Sequence, residues 1–381
     1  MIKVRQVLLC SAVPFFFLAA SCVRENSSRK QDIHVQQMSG FPNQEFGYEL
    51  GVSACYVGII GNKLVMAGGC NFAGKSAAEG GPKYFYKGIY TAEITEDSVL
   101  VWKQVGELPS PVAYGVSISR SGEMILIGGN NADGGLTSVF RLKLAEDGGA
   151  ILDTLQSLPF ALDNMSGAAS GNTIYVAGGN RNGSPSTSML SLNLNEPELG
   201  WKEEVPFPGA ARVQPVCAVQ DGMLYLWGGF CPSQNGGEAS VATDGYRYLP
   251  LQEQWEPVPA PAVAETGEPL TLTGGTSCVW SDSIILCTGG VDKDIFLDAI
   301  SGDYKRIAKE DYLLQPVAWY RFNGRLMAYN TRRNHWEEWE ESACLARAGA
   351  ALLRKGQQLF IVGGELKPGI RTAEISRITI K

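Results

Sequence analysis

Apolar runs that end in a pair of glycines recur six times along the chain. One of them is Ile125-Leu-Ile-Gly-Gly129, and the six pairs end at Gly69, Gly129, Gly179, Gly229, Gly290 and Gly364. Successive pairs lie 60, 50, 50, 61 and 74 residues apart. A polar tight-turn signal precedes each run, as Gly171-Asn172 precedes Ile174, and another short apolar segment precedes each turn. This pattern predicts six hairpins of buried strands.

The spacing of these hairpins predicts the architecture. A repeat of about 50 residues is typical of the Kelch β-propeller, in which each repeat forms one four-stranded blade. A Gly-Gly pair at a strand end permits positive φ and lets the backbone leave a crowded axis without a Cβ clash. A glycine-rich β-sandwich is the alternative, but six pairs at blade spacing favour the propeller. We therefore predict an all-β, six-bladed Kelch-type β-propeller that occupies residues 22–381 as a single domain.

Two segments complete this prediction. After Gly364 only one strand remains, at residues 373–380, and residues 33–38 near the other end supply a candidate for the missing outer strand. N- and C-terminal strands are therefore expected to share the last blade, which would close the ring. In the longest interval, residues 295–314 lack strand alternation and predict a partly helical insertion, over the mouth of the ring or at a subunit contact. A homodimer is left open.

The start of the chain resembles an export signal. Lys3 and Arg5 precede an apolar stretch at residues 7–20, and Leu18-Ala-Ala-Ser-Cys22 resembles a bacterial lipobox. The stretch is too short to span a bilayer. We expect residues 1–21 to be a lipoprotein-type signal peptide and Cys22 to be lipidated. The alternative is plain secretory cleavage near Ser21. In either case we expect an exported protein. With the lipoprotein-type signal it would be periplasmic, and a lipid anchor would be its only membrane contact.

Charge and residue counts exclude several classes of function. The chain has 32 basic and 39 acidic residues, and the first 21 residues hold two of the basic ones and none of the acidic, so the remainder carries a net charge of −9. This charge argues against nucleic-acid binding. The two histidines, His34 and His335, are far apart and have no neighbouring ligand set, so neither a metal site nor a catalytic triad is expected. Of the nine cysteines, Cys10 lies in the signal segment and Cys22 is the expected lipidation site. The remaining seven lack CxxC spacing and suggest buried free thiols over a disulfide framework.

The loops that follow the Gly-Gly pairs and those that lead into the next blade are expected to open on one face, around the axis. Their side chains mix amides, aromatics, arginines and carboxylates, which suits a polar sugar pocket. Each residue alone could equally be a solvated loop residue. The candidates for substrate binding are Asn71, Phe72, Tyr114, Asn130, Asn180, Arg181, Arg212, Gln214, Asp292 and Arg347.

One loop differs from the others. Glu365 follows its Gly-Gly pair directly, and Arg371 comes six residues later, beyond a Pro-Gly turn. Such a turn folds a loop back sharply, so both side chains could reach one pocket. The alternative is a surface ion pair of little energetic consequence.

Three segments carry a family resemblance. Gly-Glu-Leu-Lys-Pro-Gly-Ile-Arg-Thr372 resembles the Gly-Glu-x-Lys-Pro-Gly-x-Arg-Thr motif of the Kelch-type bacterial sialic acid mutarotases (N-acetylneuraminate epimerases). Gly106-Glu-Leu-Pro109 with Ala113-Tyr-Gly-Val-Ser117, and the segment from Gly289 to Phe296, resemble two further parts of that family. The likeness covers nearly the whole chain after the signal segment, but segments that lie late in the mutarotases come first here. The chain therefore looks like a cyclically permuted member of that family. It departs from the family at Val112, where the family has arginine, and at Val213, where the family has aspartate.

The resemblance implies a cofactor-independent mutarotase that interconverts anomers of N-acetylneuraminate or a related small acidic sugar. It implies catalytic roles for Glu365 and Arg371. We assign proton transfer to Glu365 and binding of the substrate carboxylate to Arg371, because a guanidinium can bind a carboxylate with two hydrogen bonds. The alternatives are an enzyme acting on another sugar and a non-catalytic propeller that binds glycans or a protein.

Overall fold

The structure is a computed structural model and describes residues 31–233 and 237–381. The predicted signal peptide and the lipidation site at Cys22 lie outside the described residues. Within them, no helix is both long enough and apolar enough to cross a membrane.

The described residues form six four-stranded antiparallel sheets, each of which is one blade of a Kelch-type β-propeller. From the axis outwards, the strands of blade 1 are Tyr56–Ile60, Lys63–Ala67, Gly88–Glu93 and Lys103–Glu107, and those of blade 2 are Val116–Arg120, Glu123–Ile127, Val139–Leu144 and Ala150–Thr154. Blade 3 consists of Ser166–Ser170, Thr173–Ala177, Met189–Asn193 and Lys202–Glu203, and blade 4 of Val216–Gln220, Met223–Trp227, Gly245–Leu249 and Gln254–Val258. Blade 5 consists of Thr276–Ser281, Ile284–Thr288, Arg325–Asn330 and His335–Glu341.

Blade 6 joins the two ends of the described chain. Its strands are Ala351–Lys355, Gln358–Val362, Ile375–Ile380 and, outermost, Ile33–Met38. The outer strand pairs antiparallel with its neighbour, from Ile33 opposite Ile380 to Met38 opposite Ile375. The predicted closure by N- and C-terminal strands is confirmed.

Apolar side chains between neighbouring blades form the core. Between blades 1 and 2, for example, Val65 and Ala67 pack with Met124, Leu126 and Leu142, and all five are fully buried. Such clusters lie at successive junctions around the ring. Burial at these junctions is the main stabilising contribution, because a single blade cannot cover its own faces.

The Gly-Gly pairs bring each blade close to the next. At Gly129 the backbone has φ +98°, and a Cβ there would lie 2.6 Å from the carbonyl oxygen of Ala113. Its N–H donates to the carbonyl of Leu162, in the loop that leads into blade 3, at 2.9 Å. The equivalent glycines at 69, 179, 290 and 364 make the same bond to the next blade. A side chain at Gly129 would therefore collide with the loop that leads into its own blade. A Cβ at the first glycine of the pair, Gly128, would lie 2.4 Å from the carbonyl oxygen of Leu162 and would push the next blade away.

A second set of backbone bonds surrounds the axis. Each innermost strand is preceded, two positions earlier, by one residue of a closed hydrogen-bonded ring. The backbone N–H of each of these six residues donates to the carbonyl of the ring residue before it, at 2.7–3.0 Å. All six have positive φ, between 52° and 72°. We term them the axial ring: Ala54, Tyr114, Asn164, Gln214, Gly274 and Gly349.

Short hairpins follow five of the Gly-Gly pairs and project from the same end of the propeller as the axial ring. They pair Cys70–Asn71 with Tyr84–Phe85, Asn130–Asn131 with Gly134–Gly135, Asn180–Arg181 with Ser184–Pro185, Phe230–Cys231 with Ser240–Val241, and Glu365–Lys367 with Ile370–Arg371. Short 3-10 helices occupy Tyr48–Leu50, Ala77–Glu79, Pro197–Leu199 and Ala343–Leu345.

The longest interval between Gly-Gly pairs contains the helices. Helix α1 is Lys293–Ile300, α2 is Lys309–Tyr312, and a 3-10 helix follows at Val317–Tyr320. Ile295, Tyr312 and Tyr320 are the buried centre of their own small cluster. Lys367 of blade 6 donates from Nζ to the carbonyls of Leu313 and Gln315, at 3.0 and 2.5 Å. This insertion is therefore fastened to the Pro-Gly loop.

The shared blade predicts a stability effect of the outer strand. Arg377 of the neighbouring strand is buried and bonds Gln36 of the outer strand through Nε and Nη2. A chain that begins at residue 40 loses these bonds and the burial of Met38, which alone contributes about 1.5–3 kcal/mol. Compared with a chain that begins at residue 31, its thermal midpoint in calorimetry should fall by at least about 3 °C. Equal midpoints would contradict the role assigned to this strand.

Candidate functional site

A cavity of about 590 Å³ lies at the end of the propeller that carries the axial ring. Its volume is within the range of small-molecule binding sites. Polar and charged side chains from five blades reach it: Ser53, Lys83, Tyr114, Asn164, Gln214, Glu365 and Arg371. An apolar wall lies at blades 4 and 5 and includes Phe230, Val291, Phe296, Leu313 and Phe322.

The axial ring determines the shape of this cavity. Its three large side chains, on Tyr114, Asn164 and Gln214, belong to neighbouring blades 2, 3 and 4, whereas Gly274, Gly349 and Ala54 belong to blades 5, 6 and 1. Small side chains on one half of the ring leave space there. That space lies beside the Pro-Gly loop of blade 6.

Glu365 and Arg371 meet in that space. They pair across the short hairpin, with Gly369 at φ +87° in the turn. Oε2 of Glu365 lies 2.9 Å from Nη1 of Arg371, whose side chain is 4% exposed. The alignment at Nη1 is too poor for a hydrogen bond, so this buried N–H remains able to donate to a ligand. Both residues line the cavity, so the pair is not a surface ion pair.

The surroundings of Glu365 perturb its carboxyl group. Burial raises the pKa of Glu365 above its ordinary value, and the positive charges of Arg371 and Lys83 oppose this rise without cancelling it. A carboxylate with a raised pKa is a stronger base than an ordinary one and titrates nearer to neutral pH. The site therefore contains a carboxyl group suited to proton transfer.

A line of polar contacts extends from this pair across the cavity. Nε of Arg371 donates to Oγ of Ser53 at 3.1 Å, and that oxygen lies 4.0 Å from Sγ of Cys70. Cys70 donates to the hydroxyl of Tyr114 at 3.5 Å, and Nζ of Lys83 donates to the same hydroxyl at 2.8 Å. Six side chains from blades 1, 2 and 6 thus form one connected network.

The cavity includes five of the residues predicted from the sequence. Glu365 and Arg371 are joined there by Phe72, Tyr114 and Gln214. The ring of Phe72 lies under the guanidinium of Arg371, 5.0 Å from its centre. Gln214 donates to Oδ1 of Asn164 at 2.8 Å, which holds both amides at the cavity wall.

Arg212 and Arg347 do not line the cavity, although both were predicted substrate-binding residues. Arg212 is 2% exposed and bonds the carbonyl of Gly228 and both carboxylate oxygens of Asp244. Arg347 is 1% exposed and bonds the carbonyls of Gly363 and Glu374. Each lies two residues before an axial-ring residue, where the other blades have buried apolar side chains: Val52, Val112, Leu162 and Leu272. This position faces the junction between blades.

The remaining predicted residues also point elsewhere. The amide of Asn71 is fully used by the carbonyls of Gly47 and Gly51 and by the hydroxyl of Tyr86. Neither Asn130 nor Asn180 is among the lining residues, and Asn180 donates to Asp163 at 2.8 Å.

The other two charged candidates serve local structure. Arg181 makes an exposed ion pair with Glu203 at 3.1 Å and stacks on Phe160. Asp292 caps the N-terminus of α1 by accepting from the N–H groups of Asp294 and Ile295, and it also pairs with Arg321.

Sequence reasoning missed several lining residues. Lys83 belongs to the long loop of blade 1, 31 residues before the tyrosine that it contacts. The repeat could have identified two of the others as lining residues. Asn164 occupies the same repeat position as Tyr114 and Gln214, and Ser53 directly precedes the axial-ring residue Ala54. Three residues of the apolar wall, Phe296, Leu313 and Phe322, come from the helical insertion, whose position over the cavity has no counterpart in the repeat.

The described residues include seven cysteines, from Cys55 to Cys344, and all seven are free thiols. No group of three or more His, Cys, Asp or Glu side chains in residues 31–233 and 237–381 is placed to hold a metal ion.

The chain resembles known proteins over most of its length. The family model described as N-acetylneuraminate epimerase matches residues 18–151 and 155–381. The chain belongs to the N-acetylneuraminate epimerase family. Two relatives that carry this name come from Haemophilus influenzae (strain PittEE), 32% identical over 228 residues, and Salmonella arizonae, 33% identical over 232 residues. These alignments cover 58% and 59% of this chain and 58% of each relative, so the chain spans little more than half the length of the curated relatives it matches.

The two departures from the family motifs lie outside the cavity. Val112 occupies the buried position between blades that Arg212 and Arg347 occupy elsewhere, and Val213 is 4% exposed. Neither lines the cavity. The polar groups of the cavity are therefore unaffected by these two differences.

The buried and exposed arginines should differ in their effect on stability. Asp244→Ala leaves the charge of Arg212 buried without its partner, so the free energy of unfolding should fall by about 1–3 kcal/mol. Glu203→Ala removes the partner of the exposed Arg181 and should change the free energy of unfolding by less than about 1 kcal/mol. Urea unfolding of both variants measures the difference. A similar loss in each would mean that Arg212 has no special role between the blades.

Proposed function

We propose that this protein is an exported mutarotase that interconverts the anomers of N-acetylneuraminate or a related acidic sugar. The observation that carries the proposal is the pair formed by Glu365 and Arg371 in the cavity, whose side chains are 20% and 4% exposed and which both lie within the sequence motif shared with the family. The names of the relatives, N-acetylneuraminate epimerase, support the substrate class.

Mutarotation requires two proton transfers. A base removes the proton of the anomeric hydroxyl while the ring oxygen gains a proton, so the bond between the anomeric carbon and the ring oxygen breaks and the open keto form results. Rotation about the bond to the anomeric carbon presents its other face, and the reverse transfers close the ring. Glu365 is the base in this scheme, because its raised pKa brings it closer to the working pH. All atoms are conserved, and the scheme needs neither a metal nor a redox cofactor.

Arg371 provides the site for the carboxylate of the sugar. Its unsatisfied Nη1 hydrogen is buried at the cavity wall, and a charged hydrogen bond to a carboxylate is stronger there than in water. The stack on Phe72 and the bond to Ser53 fix the plane of the guanidinium. A fixed guanidinium orients the sugar so that the anomeric carbon, which carries the carboxylate, lies near Glu365.

Location and assembly are part of the same proposal. The lipobox-like segment that ends at Cys22 supports export with a lipid anchor in the periplasm. A homodimer is compatible with the insertion that carries α1 and α2, and sedimentation of the mature protein would test it.

The direct test uses α-N-acetylneuraminate freshly released from a glycoside. NMR follows its conversion to the β-anomer with and without the protein, and spontaneous mutarotation provides the baseline. We expect a protein-dependent acceleration. An unchanged rate together with measurable sugar binding would make the protein a glycan-binding propeller.

Substitutions of Glu365 and Arg371 should affect different kinetic constants. Glu365→Gln keeps the shape of the side chain and removes the base, so kcat should fall by roughly 10²–10⁴-fold with little change in sugar binding. Arg371→Lys keeps the positive charge but loses the planar donor pair, so KM for the acidic sugar should rise more than kcat falls. Exchange NMR at several sugar concentrations measures both constants. Full activity in Glu365→Gln would remove the glutamate from the mechanism.

The pH dependence of the rate should report the ionisation of the Glu365 carboxyl group. Glu365 acts as a base only when ionised, and its pKa in the folded protein lies above the ordinary value of 4.5. The rate should therefore rise with pH through a midpoint above 4.5, and below that midpoint the protonated form is inactive. The profile is measured by exchange NMR with the spontaneous rate subtracted at each pH. A midpoint at or below 4.5 would assign the limb to another group.

A further inference from the structure

The hydroxyl of Tyr114 has an arrangement that binding alone does not explain. It accepts a hydrogen bond from Nζ of Lys83 at 2.8 Å and a weaker one from Sγ of Cys70 at 3.5 Å. A phenolic oxygen has two lone pairs and one hydrogen. Because both donors occupy the acceptor side, the hydrogen remains available to donate into the cavity that the side chain lines.

The backbone fixes the phenol at this point. Tyr114 belongs to the axial ring, with φ +61°, and its N–H and C=O bond Ala54 and Asn164. A left-handed backbone at a bulky residue is unfavourable and persists only where the surrounding structure imposes it. The phenol is thus carried on a part of the propeller that cannot shift without breaking the ring.

The reaction proposed above needs a second proton-transfer group. Glu365 takes the proton of the anomeric hydroxyl, and the ring oxygen must receive another at the same time. Four charged or titratable groups face Tyr114, namely Lys83, Cys70, Arg371 and Glu365. Arg371 does not release its proton in proteins. Cys70 is fully buried and does not line the cavity. Lys83 already donates to the phenol.

We infer that Tyr114 is the proton donor to the ring oxygen and that Lys83 is a positioning residue that stabilises the resulting phenolate. In the opening step the phenol proton moves to the ring oxygen as the bond to the anomeric carbon breaks, and the electron pair of that bond stays on the oxygen. In the closing step the same oxygen attacks the keto carbon and returns its proton to Tyr114, while Glu365 returns its proton to the carbonyl oxygen. The inference rests on the proposed mutarotase activity.

The test compares variants in the NMR assay after the unmodified protein has been shown to accelerate mutarotation. Tyr114→Phe removes the hydroxyl alone, and kcat should fall at least about 100-fold with KM changed by less than about threefold. If the unmodified protein does not accelerate the reaction, the proposed function fails. If it does and Tyr114→Phe retains its kcat, only the role of Tyr114 fails.

Two further measurements separate chemistry from structure. Burial raises the pKa of the Tyr114 phenol well above its ordinary value, which keeps the phenol protonated and able to donate. Replacement of Tyr114 by 3-fluorotyrosine keeps the shape of the side chain and lowers that pKa, so the alkaline limb of kcat should move to lower pH. An unmoved limb would overturn the role of Tyr114 even if Tyr114→Phe failed to fold. Lys83→Met should lower kcat, and Lys83→Arg should restore most of it, because the role requires a cation at the phenol oxygen. Equal activity of the two Lys83 variants would contradict the positioning role.

Discussion

The closed ring of six backbone hydrogen bonds around the axis is the constraint on which the rest of the molecule depends. Innermost strands of neighbouring blades do not pair as a sheet, so the loops that precede them must hold the blades in register. Each ring residue donates to one neighbour and accepts from the other, and the bond from Gly349 to Gly274 is no different from that of Ala54 to Gly349. The ring therefore has no preferred starting blade, which is compatible with a cyclically permuted order of repeats.

The free edges of the innermost strands are covered in a second way. Their backbone groups face the axial channel and would lack partners without a neighbouring sheet. Hydroxyl side chains of adjacent blades fill this role: Ser117 bonds both backbone groups of Val57, and Ser277 donates to the carbonyl of Cys217 at 2.7 Å. Small polar residues on these strands thus join blades while keeping the channel open.

The repeat was sufficient to predict the fold because its signals are local. Gly-Gly pairs, turns and strand alternation are properties of neighbouring residues, and the blade count and the shared last blade followed from them. The site was predicted only in part, because it depends on which way a loop side chain points. Arg212 and Arg347 illustrate the error: arginine in a loop suggested a ligand site, whereas the aligned residues Val112 and Leu162 are buried and indicate a junction between blades.

Lys83 shows the opposite limit. It lies in a long loop that differs from the corresponding loops of the other blades, so no repeat position marks it, and its partner Tyr114 belongs to another blade. The connected network from Glu365 to Lys83 draws on blades 1, 2 and 6, and no single blade contributes more than three of its six members. Chemistry assembled from different repeats leaves little trace in any one of them.

Fold and function use different parts of the same axial residues. The backbone of each ring residue closes the propeller, and that role accepts any side chain that tolerates positive φ, from glycine to tyrosine. The side chains are consequently free to differ from blade to blade. Three large and three small ones make the cavity asymmetric, with its open half beside Glu365 and Arg371. A nearly sixfold scaffold thereby acquires a single site, because the symmetry is broken in side chains that the ring does not need.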